Sequence, residues 1–236
     1  MDERWIRAAY LLGDEPIEKL KHKRVAVFGI GGVGSYCAEA LVRLGIGHLT
    51  FVDSDTVSVS NRNRQLVALE STVGEKKVEV MRKRALDINP DADIQTFDLF
   101  YLPGNADSFD VTAYDGIVDA MDTVSAKIEL IGRAVKSGVP IVSCMGTGNK
   151  IHPELLEITD IAKTSGCPLA RVMRRELRER GIEHLTVVFS KEEPLERHPD
   201  YRGEEKTGKP IPGSLSFVPA TAGMLLASAI FQKIDE

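Results

Sequence analysis

The chain has 236 residues, 43% hydrophobic and 28% charged, enough to build a substantial core in one large α/β domain. Its formal charge of −5 excludes a global attraction to nucleic acid, so any RNA contact must come from a local basic patch. Cys37, Cys144 and Cys167 are scattered with no CxxC pair, which argues against a four-cysteine zinc site and suits a reducing, cytoplasmic setting.

The first 24 residues are charged and lack the apolar centre of a signal peptide. Within them, residues 4–20 predict one helix with Trp5, Ala8, Ala9 and Leu12 on an apolar face. Arg4 and Arg7, three apart, share another face. Residues 25–28 predict a strand that enters Gly29-Ile30-Gly31-Gly32-Val33-Gly34, and a helix follows to residue 44. Glycines let the backbone approach a phosphate, and the helix start offers unpaired N–H groups to it. A second strand, 49–52, ends on Asp53, about 20 residues past the turn, as a nucleotide-binding βαβ unit requires. Asp53 has two readings, a turn residue or an acceptor for a ribose hydroxyl, and this setting favours the ribose.

The polar loop 54–65 carries Asn61, Arg62, Arg64 and Gln65, and Gly74 and Lys77 lead into a helix to about residue 87. Val78, Met81, Ala85 and Ile88 share one side of it, and Asn89-Pro90 closes it. The plain reading is a solvated loop. Two guanidiniums and a lysine beside a glycine turn suit instead a polyphosphate more highly charged than a dinucleotide's. Residues 94–97 predict a third strand, and 98–110 an irregular segment around Pro103-Gly104. A fourth strand at 115–120 places Asp119 and Asp122 at the carboxyl edge of a parallel sheet, where ligands bind in open α/β folds. Asp122 precedes a helix at 124–136, which carries Lys127, so it reads as an N-cap or as a carboxylate for Mg2+ opposite a triphosphate; the metal reading is favoured.

Residues 140–144 predict a fifth strand, 155–161 another, and 184–189 a short last one. The helix 168–180 carries Arg171, Arg174, Arg175 and Arg178 on one side, diluted by Glu176 and Glu179, which is open to RNA-phosphate contact or plain solvation. Residues 190–212 read as a long, mobile surface loop. The apolar run 217–231 contains Pro219 and Thr221 and falls short of the ~20 residues of a spanning helix. It reads as a buried helix rather than an integral span, with peripheral membrane contact the lesser alternative. The fold expected is α/β, a Rossmann-like, doubly wound, mostly parallel sheet with a C-terminal extension of helix, short strands and a long loop.

There is no GxSxG elbow, no HExxH, and no Lys-Ser/Thr after the glycine turn. A nucleotide, a metal carboxylate and a set of cations suit attack on an α-phosphate by a carboxylate, with pyrophosphate leaving.

Gly29-Ile-Gly31-Gly32-Val-Gly34, Asp53-Ser-Asp55, Ser60-Asn61-x-x-Arg64-Gln65, Gly74-x-x-Lys77 and Asp119-x-x-Asp122 resemble, in order and spacing, the ThiF/MoeB/HesA family of adenylating enzymes. The resemblance implies ATP and Mg2+. Asp53 would hold the ribose, Asn61, Arg64 and Lys77 the phosphates, and Asp122 the metal. Arg7 would reach a partner's ATP site, which implies a homodimer. Gly29–Ser35, Thr159-Asp-Ile-Ala-Lys163, the arginine helix and Gly213-Ser-Leu-Ser-Phe-Val-Pro-Ala-Thr-Ala-Gly223 resemble the tRNA threonylcarbamoyladenosine dehydratase branch. That branch implies adenylation of the threonyl carboxylate beside a tRNA anticodon and ring closure by the substrate's own carbamoyl group. It implies one domain over 1–236, an ATP-binding core at 1–150 and a substrate and dimer portion at 151–236. A structural monovalent cation and a sulfur-transfer partner stay open. So do two other activities: adenylation of a ubiquitin-like or sulfur-carrier protein tail, and a NAD(P)-dependent oxidoreductase.

Overall fold

The computed structural model describes residues 2–196, 198, 200 and 211–235. In chain order its helices are α1 (Ile6–Leu12), α2 (Asp14–Leu20), α3 (Gly34–Leu44), α4 (Lys77–Ile88), α5 (Val124–Ser137), α6 (Pro168–Arg178) and α7 (Phe217–Ile234). Its strands are β1 (Arg24–Phe28), β2 (His48–Val52), β3 (Asp93–Phe97), β4 (Gly116–Asp119), β5 (Ile141–Cys144), β6 (Leu156–Asp160) and β7 (Thr186–Ser190). They form one seven-stranded sheet in the order β3-β2-β1-β4-β5-β7-β6, in which only β6 runs antiparallel to its neighbour. The sheet runs on without a break past residue 150. Its strand order reverses between β1 and β4, and in open α/β sheets the crevice for a ligand opens at such a point.

Alternation along the strands builds two cores. Val25 and Val27 face α3, α4 and α7, while Ala26 and Phe28 face α5, α6 and an aromatic cluster. In that cluster Tyr101 and Phe109 set their rings edge-on to Phe28, at 5.1 and 5.6 Å. These two aromatics come from the segment 98–110, which is irregular as expected apart from a 3₁₀ turn at Pro103–Ser108.

Strand boundaries fall within about two residues of those expected from the sequence. The N-terminal helix does not: it is two helices, preceded by a 3₁₀ turn at Glu3–Trp5. The break is at Gly13, whose φ of 84° lies outside the helical region, and Pro16 in the first turn of α2 has no N–H to continue the earlier helix. The predicted apolar face survives, with Trp5 and Ala9 buried and Ala8 and Leu12 packed on the core.

The apolar helix α7 is 18 residues long and half of it is buried, although by length and composition alone it would pass for a membrane span. It packs on α3 so closely that a side chain at Gly223 would meet the Val33 carbonyl at 2.3 Å. Much of the loop expected over 190–212 lies outside the described residues. Its start is fastened rather than loose: Ser190 ends β7, and the buried Glu192 accepts the N–H groups of Ile151 and His152.

Candidate functional site

The glycine turn is wedged between the carboxyl ends of β1 and β4. Gly29 has φ 90°, and a side chain there would meet the Ala120 carbonyl at 2.7 Å. One at Gly34 would lie 1.7 Å from the carbonyl of Gly29. At Gly31 the nearest atom is Gln65 Nε2, 3.9 Å away, so the turn is open on that side. Asp53 at the end of β2 ties the turn down: its carboxylate accepts the N–H groups of Ile30 at 2.7 Å and Asp55 at 2.8 Å. Burial raises its pKa, against the nearby Lys77 charge and these two hydrogen bonds.

The segment 61–66 docks on the turn through Ser35, to which sequence reasoning gave no role of its own. Its hydroxyl donates to the Gly31 carbonyl at 2.6 Å and accepts the Leu66 N–H at 3.2 Å. The signal was its place in the first turn of the helix behind the glycines. Docking brings Arg64 to Gly32, where a side chain would lie 3.5 Å from Arg64 Cγ. Arg64 is half-buried, burial lowers its pKa, and among the described residues no carboxylate pairs with it. Its Nη1 donates to the Ser60 carbonyl and the Asn63 side chain. Gln65 is buried, and its Oε1 has no hydrogen-bond partner among the described residues, which an apolar interior would penalise. An uncompensated guanidinium and an open glycine turn fit a phosphate-bearing ligand, while the orphaned amide oxygen, an acceptor, would need a donor elsewhere on that ligand.

Arg62 is not part of this arrangement. It pairs with Glu70 on the surface, so one guanidinium rather than two faces the turn. Asn61 accepts the Ser58 N–H at 3.1 Å, and Ser60 shares a hydroxyl contact with Ser58 at 3.0 Å, so both shape the loop. Lys77, buried at the start of α4, is held 2.6 Å from Asp55, whose carboxylate is largely exposed.

Asp122 sits beyond the end of β4. The N-cap reading fails: the cap is Thr123, whose side chain makes no capping bond. Asp122 is exposed, the Thr123 hydroxyl approaches it at 3.4 Å, and among the described residues no cation pairs with it. Nor do the described residues offer any group of three or more His, Cys, Asp or Glu able to hold a metal. One unpaired carboxylate fits Mg2+ as that ion is held beside nucleotides, with phosphates and waters as its other ligands.

Asp119, expected at the ligand edge, is instead fully buried against an equally buried Lys127 at 2.8 Å. Ser143 Oγ and the Met121 N–H complete the carboxylate, and the Met121 and Cys144 carbonyls complete the ammonium. This closed network fixes the 120–123 loop that presents Asp122. The signal in the sequence was a lysine one helical turn into α5.

Arg7 and the arginine helix stand apart from the turn. Arg7 is exposed on α1 beside Tyr10 and Leu11, which are 76% and 87% exposed. On α6 the stripe is divided. Arg174 is bound to the carbonyl and hydroxyl of Thr164, and Arg175 to Glu176 and Glu179. Arg171 and Arg178 have no side-chain partner among the described residues. The start of α6 packs on the loop after β5, since a side chain at Gly146 would lie 3.5 Å from Cys167 Sγ. The helix therefore rises from the same sheet edge as the glycine turn. All three cysteines are buried, and burial raises the Cys37 thiol and pushes the Cys144 thiol up to about 12, away from the thiolate form.

A family model described as the ThiF family matches residues 4–236. The tRNA threonylcarbamoyladenosine dehydratase of Bacillus subtilis is 40% identical over 231 residues, covering 94% of this chain and 91% of that one. The crystal structure of Escherichia coli tRNA N6-threonylcarbamoyladenosine dehydratase in complex with ATP superposes with a TM-score of 0.88 at 34% identity, over 98% of this chain and 93% of that one. The molybdopterin-synthase adenylyltransferase of Escherichia coli is 32% identical, over 70% of this chain and 64% of that one.

Proposed function

The chain belongs to the ThiF family, and on that premise we propose that it is an ATP-dependent dehydratase of threonylcarbamoyladenosine in tRNA. The observation that carries the ATP half is Arg64, half-buried beside the open glycine turn without a carboxylate to neutralise it. Likeness over nearly the whole length of the Bacillus relative supports the tRNA half. The adenylyltransferase alternative rests on a shorter and weaker likeness.

The threonyl carboxylate attacks the α-phosphorus of ATP, an acyl–phosphate bond forms, and the bond to pyrophosphate breaks. The carbamoyl group of the same nucleoside then attacks the acyl carbon, loses a proton and expels AMP, which carries away the oxygen of the lost water. No enzyme nucleophile is required, because the second attack is intramolecular. Lys77 and Arg64 balance the charge on the phosphates, Asp53 takes the ribose, and the orphaned Gln65 oxygen finds a donor on the nucleotide. Asp122 would hold Mg2+, which supplies further charge neutralisation when bound. Residues 1–150 supply the ATP pocket, and 151–236 add the arginine helix and the packing of α7. Arg7, Tyr10 and Leu11 share one face of α1, as a contact with a second copy requires.

Incubating threonylcarbamoyladenosine-bearing tRNA with the chain and ATP should convert the nucleoside to a form lighter by one water, read by mass spectrometry of the digest. AMP production that requires a carrier-protein tail instead of tRNA would sink the proposal. Along α6, only Arg171 and Arg178 have heads clear of internal partners. Arg171→Glu/Arg178→Glu should therefore weaken tRNA binding about tenfold and flatten its salt dependence by about two in log–log slope, with ATP affinity unchanged. Unaltered tRNA affinity would place the RNA on another face.

A further inference from the structure

Asn149 is the one non-glycine residue among the described residues with a left-handed φ, 58°. It lies in the loop after β5 and makes three backbone-directed bonds. Its N–H donates to the Gly213 carbonyl at 2.7 Å, its Oδ1 accepts the Gly213 N–H at 2.6 Å, and its carbonyl accepts the Leu195 N–H at 2.7 Å. One residue thus holds the chain at both 195 and 213. Gly148 makes the approach possible, because a side chain there would meet Pro212 Cβ at 2.7 Å. The loop is itself anchored: the buried Lys150 donates to the Ser190 carbonyl at 3.0 Å.

The next residue, Ser214, carries this order towards the phosphate arginine. Its carbonyl accepts Asn63 Nδ2 at 2.9 Å, and Asn63 Oδ1 accepts Arg64 Nη1 at 3.0 Å. Hydrogen bonds joined through the Gly213–Ser214 peptide therefore link the β5 loop to the guanidinium.

We infer that Asn149 and Asn63 are positioning residues that hold Arg64 ready for the phosphates of ATP. An arginine loses substantial rotamer freedom on binding, so one held in place beforehand gives up less when the ligand arrives. The inference rests on the reading of Arg64 as an ATP ligand. It explains why part of the 213–223 motif sits beside a nucleotide site: Ser214 fixes Asn63, while a side chain at Gly32 would touch Pro219 at 3.3 Å.

The test is a double-mutant cycle on the full chain, with ATP–Mg2+ and adenosine affinities measured by calorimetry. Asn63→Ala and Asn149→Ala should each weaken ATP about tenfold, the scale of a lost hydrogen bond to a charged group, and leave adenosine unchanged. In an Arg64→Ala background neither should cost anything further. Asn149→Asp, which keeps the acceptor and tolerates positive φ, should restore affinity. Asn63 is exposed, so its replacement does not endanger the core, and Asn149→Gly keeps the backbone conformation should Asn149→Ala misfold. Losses that add to that of Arg64→Ala, or that affect adenosine equally, would overturn the positioning role alone. A wild-type chain that binds no ATP, or an Arg64→Ala variant that binds it undiminished, would overturn the functional reading and the positioning role with it.

Discussion

Lys127→Met should destabilise the fold by roughly 3–5 kcal/mol, the usual cost of leaving one member of a buried ion pair without the other. Lys127 and Asp119 are both fully buried, 2.8 Å apart; all three ammonium donors have partners, and both carboxylate oxygens accept a bond. Methionine fills similar volume, so the loss would be electrostatic rather than a cavity. The Asp119 carboxylate would keep Ser143 and the Met121 N–H, and neither carries a charge. Asp119→Asn/Lys127→Met removes the stranded charge and should recover much of the loss. Urea unfolding reads both variants, with the midpoint falling and the slope unchanged. A single variant within about 1 kcal/mol of wild type would mean that the pair is not the anchor of the 120–123 loop.

That network shows where sequence reading stops. Asp119 and Asp122 stand three apart at the end of one strand, and both read as ligands for the same edge. Strand alternation decides between them: Asp119 is the last strand residue and points into the sheet, whereas Asp122 lies beyond it on a loop. The six parallel strands and the glycine turn were legible because each apolar run is short and ends on, or just before, a small or acidic residue at the carboxyl edge. The break at Gly13 was legible too, in Gly-Asp-Glu-Pro, but the apolar spacing of Trp5, Ala9 and Leu12 persists across the first helix and masks it. Pairing was not legible. Arg62 and Arg64 are two apart in the same loop, and only long-range contacts send one to Glu70 and leave the other uncompensated beside Gly32. The same holds for α6, where Thr164 takes Arg174 out of the stripe.

Asp122→Ala should reduce ATP-dependent AMP formation by about 10²–10³-fold, the range for deleting one preorganised electrostatic group, while thermal stability stays near wild type. Stability should hold because the side chain is exposed and the hydroxyl it meets, that of Thr123, is 3.4 Å away. Raising Mg2+ should not restore the rate, and turnover near wild type at saturating Mg2+ would remove Asp122 from the metal site. Arg7→Ala should be impaired for a different reason, since Arg7 lies on the exposed face of α1, where a second copy could meet it. If it completes the site of a second copy, a mixed dimer of Arg7→Ala and Asp122→Ala subunits contains one site with both defects and one with neither. Exchange of the two inactive proteins should then recover up to about a quarter of wild-type activity, because half of a random mixture is heterodimer and half of its sites are intact. No recovery despite demonstrated exchange would confine Arg7 to its own subunit or to the surface.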